Sequence, residues 1–113
     1  MKHGRICKRR CDCCPFPYSD LTASKKRPAL VVAPLDGDDV ILCQITSKLK
    51  SDEYSIPLLH ADFKFGTLHQ DSFIRPNRLF TADSSIILYK AGDLKRGKID
   101  EVIEKVMAIL QKD

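Results

Sequence analysis

A change in the spacing of apolar residues divides this chain into two parts and limits the folds open to it. In the longer, first part, short apolar runs rich in β-branched residues alternate with clusters of Gly, Pro, Asp and Ser, which is typical of strands and turns. The runs are 29–34, 40–46, 54–58, 72–75 and 85–89. The last segment has a helical period instead. We therefore predict a mainly β protein: a small, partly open β-barrel with a C-terminal helix packed on it.

Two local patterns refine this prediction. The runs 29–34 and 40–46 flank a turn sequence around Gly37, which favours a buried hairpin. In the last segment the apolar residues share one helical face, which we assign to core packing rather than to binding. They are Ile99, Val102, Ile103, Val106, Ile109 and Leu110. Asp93 is a candidate N-cap for this helix.

The chain length and charge bound the class of protein. A chain of 113 residues is expected to form one domain with one modest core. No apolar run approaches the ~20 residues of a membrane helix, and the basic start has no apolar stretch behind it as a signal peptide would. We expect a cytoplasmic protein with no membrane contact.

The first fourteen residues differ from the rest in charge and cysteine content. They hold five of the 19 basic and one of the 15 acidic residues, so the formal charge of +4 lies entirely within them. They also hold four of the five cysteines, Cys7, Cys11, Cys13 and Cys14, close to His3. Zinc sites usually pair Cys-x2-Cys units that lie well apart, and this spacing matches poorly. We expect no metal ion and no other cofactor, and any phosphate-binding site must be a local patch.

A series of motifs resembles one protein family in order and spacing. Pro15-Phe16 and a loop precede Arg27-Pro28 and an apolar strand, and the next strand ends in Ile45-Thr46-Ser47. Gly66-Thr67-Leu68, then Asp71-Ser72 with apolar residues, and finally Leu79-Phe80-Thr81 and the helix complete the series. The arrangement resembles the MazF/PemK-like toxins, the ribonucleases of type II toxin–antitoxin systems, over residues 15–113.

The resemblance implies a fold, an activity and partners. The fold is an SH3-like barrel of the CcdB/MazF type, and the activity is metal-independent endoribonuclease cleavage of single-stranded mRNA. The implied partners are a cognate antitoxin and a second copy of the chain in a homodimer. The family's catalytic Arg and Thr match Arg27 and Thr46. Candidate RNA-binding residues beside them are Lys25, Lys26, Ser47 and Lys48.

The residue types at the two catalytic positions suit RNA cleavage. RNA carries its own nucleophile, the 2′-OH, and its attack on phosphorus builds negative charge on the phosphoryl oxygens. The fixed fork of donors in a guanidinium matches those oxygens as the charge grows, whereas a guanidinium is a poor general base. The family is nevertheless associated with proton transfer by this Arg, which the residue type does not explain. A threonine at a strand end can donate a hydrogen bond to the same phosphate.

Other interpretations of these residues remain open. Without the resemblance, Arg27 would be a surface residue and Thr46 a strand residue, and the lysines would serve solubility. His60 and His69 are a second candidate acid–base couple, and Asp71-Ser72 can position a loop. For the whole chain, the alternatives are a CcdB-like gyrase poison, which shares the barrel without a catalytic pair, and a non-catalytic nucleic-acid-binding module that uses the basic start.

Residues 1–14 do not read as the strand that the family has there, so we expect the first barrel strand to be disrupted. Read one base later, the codons of Cys11, Cys13 and Cys14 must encode Val or Ala, and that of Asp12 must encode Ile or Thr. One allowed spelling restores Gly-Asp before this apolar run. We therefore interpret residues 1–14 as a frameshifted version of a family strand and 15–113 as the family domain. The alternative is a genuine Cys-rich arm. A frameshifted strand predicts a loss of stability or activity in this copy.

The frameshift interpretation makes a prediction about the DNA. Resequencing should reveal one missing base near the codon of Cys14, because only the shifted frame supplies the apolar strand. Peptide mass spectrometry of the native protein is the complementary measurement. A peptide that spans Cys11 to Pro15 as printed would overturn the interpretation.

Overall fold

The computed structural model of this protein describes residues 10–17, 24–48, 53–68 and 70–112. The described elements are β1 (Arg10–Pro17), β2 (Ser24–Pro34), β3 (Asp39–Thr46), β4 (Ile56–Leu58), β5 (Phe63–Gly66), β6 (Ser72–Asp83), β7 (Tyr89–Leu94) and α1 (Arg96–Gln111). Short 3-10 turns lie at His60–Asp62 and Ser84–Ile86. The strands form one curled antiparallel sheet in the order β4-β6-β3-β2-β1-β7-β5. The prediction of a mainly β fold with a C-terminal helix is confirmed.

The predicted hairpin is the centre of the sheet. Strands β2 and β3 pair from Ala29 opposite Gln44 to Pro34 opposite Val40, with a register shift between Val31 and Ala33. Their residues are apolar on both faces, as expected of central strands that are covered on both sides. Gly37 in the connecting turn has a φ of 79°, a left-handed conformation that glycine adopts without steric cost.

Residues of the central strands belong to two separate hydrophobic clusters, one on each face of the sheet. The larger cluster lies between the sheet and α1, and its buried members are Leu30, Cys43, Ile45, Ile56, Leu58, Phe63, Ile74, Leu94, Ile99 and Val102. The smaller cluster lies on the other face, with buried members Ala29, Val31, Val40, Leu42 and Ile87. Successive strand residues point to opposite faces of the sheet. The alternation in β2 and β3 therefore determines which of their residues pack beneath α1 and which point to the other face, where a functional site can form.

Helix α1 packs the first turns of its predicted apolar face on the sheet, whereas Leu110 at its end is 72% exposed and does not join the core as expected. Ile99 and Val102 are buried against the sheet, and the Lys98 ammonium ties the first turn to the strands by donating to the Pro57 carbonyl at 3.1 Å. The N-cap is Lys95 rather than Asp93, because Asp93 belongs to β7 and pairs with Lys90 at 2.8 Å. In the described part of the chain, no helix is long and apolar enough to cross a membrane.

The expectation of a disrupted first strand is wrong for the backbone of residues 10–17. Strand β1 pairs with β2, where Cys14 stands opposite Arg27, and with β7, where Cys13 stands opposite Tyr89. A register shift between Cys11 and Asp12 is its only irregularity against β7 among the paired residues. Strand pairing is made by main-chain groups that every residue except proline carries. An unusual side-chain sequence therefore does not prevent strand pairing. Residues 1–9, which the frameshift interpretation also covers, lie outside the described residues.

Two boundaries also differ from those predicted. The segment expected to be a loop, 15–28, contributes its ends to β1 and β2. The predicted strand at 85–89 consists of the end of a 3-10 turn, two residues without regular structure and the first residue of β7. At that turn the Asp83 carboxylate accepts a hydrogen bond from the Ser85 amide at 2.8 Å, which also lowers the pKa of Asp83. A short-range side-chain cap thus overrides the apolar pattern at this point.

Strands β5 and β7 approach closely at two facing glycines. Gly66 stands opposite Gly92, and a Cβ added to Gly66 would lie 2.3 Å from the Ala91 carbonyl oxygen. Gly66 also has a φ of 73°. A side chain at this position would therefore meet both a backbone clash and an unfavourable φ.

Three glycine-to-alanine variants separate these effects. Gly66→Ala combines clash and φ strain and should destabilise most, whereas Gly37→Ala has open space and should lose only about 1–2 kcal/mol through its φ. Gly97→Ala in α1 has neither problem and should be neutral or stabilise by up to about 1 kcal/mol. Urea denaturation of the three variants gives the order. Equal stability of Gly66→Ala and Gly37→Ala would contradict the close approach.

Candidate functional site

Arg27 and Thr46 lie at the same end of the central hairpin, just past its last paired residues. The ladder between β2 and β3 starts with Ala29 opposite Gln44. Continuing the same register by two residues sets Arg27 across from Thr46, and both then face the same side of the sheet because side chains two residues apart on a strand point the same way. The two residues that the sequence singled out for catalysis therefore lie on one face at the same end of the hairpin.

Thr46 is held rigidly at the end of β3. Its side chain is buried, with 4% of its surface exposed, and its Oγ1 accepts a hydrogen bond from the Lys48 amide at 3.2 Å. Accepting that bond leaves the hydroxyl proton available to donate to another group. Thr46 thus has the donor capacity that the sequence analysis required of it, on an element whose backbone is fixed by pairing with β6.

Arg27 is half-buried on β2 and engages neighbouring groups. The next residue, Pro28, has no N–H to contribute to a ladder, and the pairing of β2 with β3 ends just beyond it, at Ala29. On its other side Arg27 stands opposite Cys14 of β1. The arginine is therefore positioned by β1 and by the last paired residues of the hairpin.

The structure describes the side chains of only two of the four candidate RNA-binding residues. Ser47 and Lys48 follow Thr46 directly and are exposed, so they lie at the edge of the same site. Lys25 and Lys26 belong to β2, opposite Phe16 and Pro15, but their side chains lie outside the described part of the structure.

Of the second candidate acid–base couple, His60 and His69, the structure describes only His60. His60 is exposed in the 3-10 turn after β4, with its Nδ1 3.0 Å from the Thr67 hydroxyl oxygen, and His69 lies outside the described residues. A cavity of about 350 Å³ opens between this turn and the start of β6. Gln70 and Asp71 line this cavity, and the Ser72 hydroxyl donates to the Gln70 carbonyl at 3.0 Å, a hydrogen bond within the segment that was expected to position a loop.

Sequence reasoning missed Arg75 and Gln44, which share the face of the candidate pair. Arg75 stands opposite Gln44, and Gln44 stands opposite Ala29. Since residues two apart on a strand point the same way, Gln44 lies on the face of Thr46, and Ala29 on that of Arg27. Arg75 is 8% exposed. The available signal was an arginine next to Ile74 in a predicted strand, but only the register of β6 shows which face it joins.

Cys43 fixes the backbone at Arg75. Its thiol donates to the Arg75 carbonyl at 2.9 Å from the buried side of β3. Burial raises the pKa of Cys43 to about 12, although this backbone hydrogen bond acts in the opposite direction. The thiol therefore remains protonated at neutral pH and serves as a donor rather than as a nucleophile.

No group of three or more His, Cys, Asp or Glu side chains suited to a metal ion occurs among the described residues. The zinc alternative of the sequence analysis depends on His3 and Cys7, which lie outside them.

The comparison with known families decides the affiliation. The sequence profile of the PemK-like, MazF-like toxins of type II toxin–antitoxin systems matches residues 13–110. The chain belongs to this family. The resemblance of the motif series is thereby confirmed. Among curated protein sequences none matches this chain.

Solved structures agree with the fold. An endoribonuclease in complex with its cognate antitoxin from a mycobacterial species has a TM-score of 0.76 at 11% identity, with 96% of this chain and 98% of that chain covered. Toxin MazF-mt6 of Mycobacterium tuberculosis gives 0.72 at 16% identity, covering 93% and 99%. A MazE–MazF structure from Deinococcus radiodurans gives 0.75 at 17% identity, covering 96% and 98%. At such identities the likeness concerns the fold.

Proposed function

We propose that this toxin is an endoribonuclease that cleaves single-stranded mRNA in the cytoplasm without a metal ion, with Arg27 and Thr46 at the reacting phosphate. The observation that supports the proposal is the hairpin register on a sheet of the MazF-like fold: continued two residues past Ala29 and Gln44, it sets Arg27 across from the buried Thr46. A solved structure of similar fold is described as an endoribonuclease.

The proposed reaction uses the 2′-OH of the substrate. Its oxygen forms a bond to the adjacent phosphorus while the bond from phosphorus to the 5′ oxygen breaks, and one proton leaves the 2′ oxygen as one is gained by the 5′ oxygen. Arg27 stabilises the charge that grows on the phosphoryl oxygens, and Thr46 donates its hydroxyl proton as a hydrogen bond to one of them. Because the nucleophile belongs to the RNA and the charge is met by a guanidinium, the chemistry has no step that requires a Lewis acid.

Residues around the pair are proposed to hold the neighbouring RNA. Lys48 and Ser47 are exposed directly after Thr46, where an ammonium and a hydroxyl can bind backbone phosphates. We assign the same role to Lys25 and Lys26 on the basis of their positions in β2. Such contacts orient the strand but do not by themselves select a base.

The proposed partners are a cognate antitoxin and a second copy of the toxin. Two of the similar structures are described as complexes with a cognate antitoxin or with MazE. A site that binds phosphates presents positive charge, which a disordered acidic segment can occupy as it folds. Exposed apolar side chains, among them Leu79, Leu88 and Tyr89, offer surface for a partner copy.

The catalytic proposal predicts the activity of two variants in EDTA. Arg27→Ala should lose at least about a hundredfold in cleavage rate, because a charge-stabilising donor is removed. Thr46→Val, which loses one hydroxyl donor, should lose about tenfold. The measurement is cleavage of single-stranded RNA at equal folded fraction, with the chain as printed and with its restored N-terminus.

Arg96→Ala is the matched control, because Arg96 is an exposed arginine at the start of α1, on the opposite face of the sheet. It should cleave at the wild-type rate. Undiminished cleavage by Arg27→Ala would remove Arg27 from the mechanism. Inhibition of gyrase without RNA cleavage would favour the CcdB-like alternative.

A second prediction concerns the partners. An acidic peptide from the adjacent upstream gene product should block cleavage, and its affinity should fall as salt rises, because screening weakens the attraction of exposed charges. The toxin should sediment as a dimer at micromolar concentration. A monomer would contradict the homodimer, and tight peptide binding with full cleavage would place the antitoxin away from the RNA.

A further inference from the structure

Strand β4 is a short edge strand in line with the candidate site. It holds three residues, Ile56–Leu58, and pairs in the described sheet with β6 alone. Pro57 stands opposite Phe73, and Phe73 stands opposite Thr46 on its other side. Pro57 is therefore two strands from Thr46 in one row of the sheet, a distance of about 10 Å at the usual spacing of strands. A displacement of β4 would thus take place close to the candidate catalytic threonine.

The connection from β3 to β4 carries two candidate RNA-binding residues. Ser47 and Lys48 directly follow Thr46 and are exposed, and the Lys48 amide donates to the Thr46 hydroxyl oxygen at 3.2 Å. This connection, residues 47–55, is fixed at its start by β3 and at its end by β4. Because β4 offers only three residues for pairing and one of them is a proline, the sheet alone holds that end weakly.

The carbonyl group of Pro57 points away from the sheet. Two facing residues that form a hydrogen-bonded pair exchange both N–H···O bonds, and proline has no N–H. Pro57 and Phe73 therefore form the other kind of pair, in which the polar groups of the edge residue point outward. The Lys98 ammonium of α1 donates to this outward carbonyl at 3.1 Å. Helix α1 thus closes the open edge of β4 at Pro57.

Lys98 joins three elements at this point. Its ammonium donates to Glu101 in α1 at 2.9 Å and lies 3.6 Å from the Asp62 carboxylate in the 3-10 turn after β4. The same Asp62 oxygen accepts a hydrogen bond from the Leu59 amide at 2.8 Å. The Lys98 side chain is 13% exposed, and partly buried charges are screened less by salt than surface charges. The path of the chain from Pro57 to Asp62 is therefore held against the first turns of the helix.

A second contact between α1 and this part of the chain is much weaker. Lys112, at the other end of the helix, lies 3.6 Å from the Glu53 carboxylate, and the two side chains are 65% and 69% exposed. Exposed pairs of this kind contribute little to stability. Between the two contacts, residues 55–57 and α1 line a cavity of about 370 Å³. Of the two contacts, that of Lys98 is the one able to hold β4.

We infer that Lys98 is a positioning residue for RNA binding: by holding β4 on the sheet, it fixes the far end of the connection that carries Ser47 and Lys48. This inference rests on the proposed ribonuclease function. Lys98 belongs to α1, on the opposite face of the sheet from the candidate catalytic pair, so it acts through β4 and not by touching the RNA. Release of β4 leaves the reacting groups in place, but the connection must then be ordered when RNA binds. Binding is weakened more than chemistry.

The test compares the RNA cleavage kinetics of Lys98→Met and Lys112→Met. Methionine keeps an unbranched side chain but removes the ammonium. Lys98→Met should raise KM about tenfold, because two more side chains are ordered on binding, and should leave kcat within about twofold. Lys112→Met is the control, since it removes a lysine of the same helix whose contact is exposed, and it should retain the wild-type KM. An equal rise of KM in both variants would show that the loss of positive charge is the cause and would overturn the role of Lys98.

Amide exchange measured by NMR without RNA tests the positioning directly. The amides of Ile56, Leu58 and Lys48 should exchange at least about tenfold faster in Lys98→Met, whereas the amide of Leu42, in the middle of β3, should keep its wild-type rate. If all four accelerate together, or if none does, the inference is wrong. Lys98→Gln, which keeps a shorter donor, should show the same changes to a smaller extent and replaces Lys98→Met if that variant does not fold.

The kinetic measurement separates this inference from the proposed function. If the wild-type toxin cleaves no RNA, the proposed function fails and the positioning role fails with it. If the wild-type toxin cleaves RNA while the KM of Lys98→Met is unchanged at equal folded fraction, only the positioning role of Lys98 is wrong.

Discussion

Antiparallel backbone pairing of β3 with β2 on one side and β6 on the other is the constraint on which the rest of this structure depends. It sets the alternation by which Leu30, Cys43 and Ile45 enter the cluster beneath α1, while the remaining positions face the other way. The register therefore determines both which residues of β2 and β3 enter the core beneath α1 and which face the side of the candidate site. A chain of this size has a small core. Because β2 and β3 contribute buried side chains to both faces of the sheet, few apolar residues suffice for the two clusters.

The sequence was most informative where the determinants are local. The hairpin around Gly37 and the helical period after Ile99 depend on neighbouring residues, and both were predicted. So was the family, because its motifs are short and ordered. Strand β1 was misjudged because its side chains are unusual while its pairing is made by main-chain groups. The turn at Ser84–Ile86 was misread because a single carboxylate cap outweighed an apolar run.

The candidate site was predictable only in part, for a related reason. Arg27 and Thr46 were proposed from motifs, not from a pattern of charge along the chain. That both lie at the same end of the hairpin follows from the way β2 pairs with β3, which depends on the two strands together. Arg75 was overlooked because its face depends on a register shift in β6, which no spacing within β6 reveals. When the residues of a site come from several strands, the sequence of each strand alone does not show which of them meet.

The end of the β2–β3 ladder at Ala29 has a consequence for local motion. Arg27 precedes the first pair of that ladder, Ala29 with Gln44, and stands opposite Cys14 of β1. Segments with fewer backbone bonds open at lower free energy than the core they leave. The backbone at Arg27 therefore depends on its pairing with β1, at the position opposite Cys14. Fraying of the first strand would loosen the candidate catalytic arginine long before it unfolded the domain, so the N-terminal residues act on the site as well as on the fold.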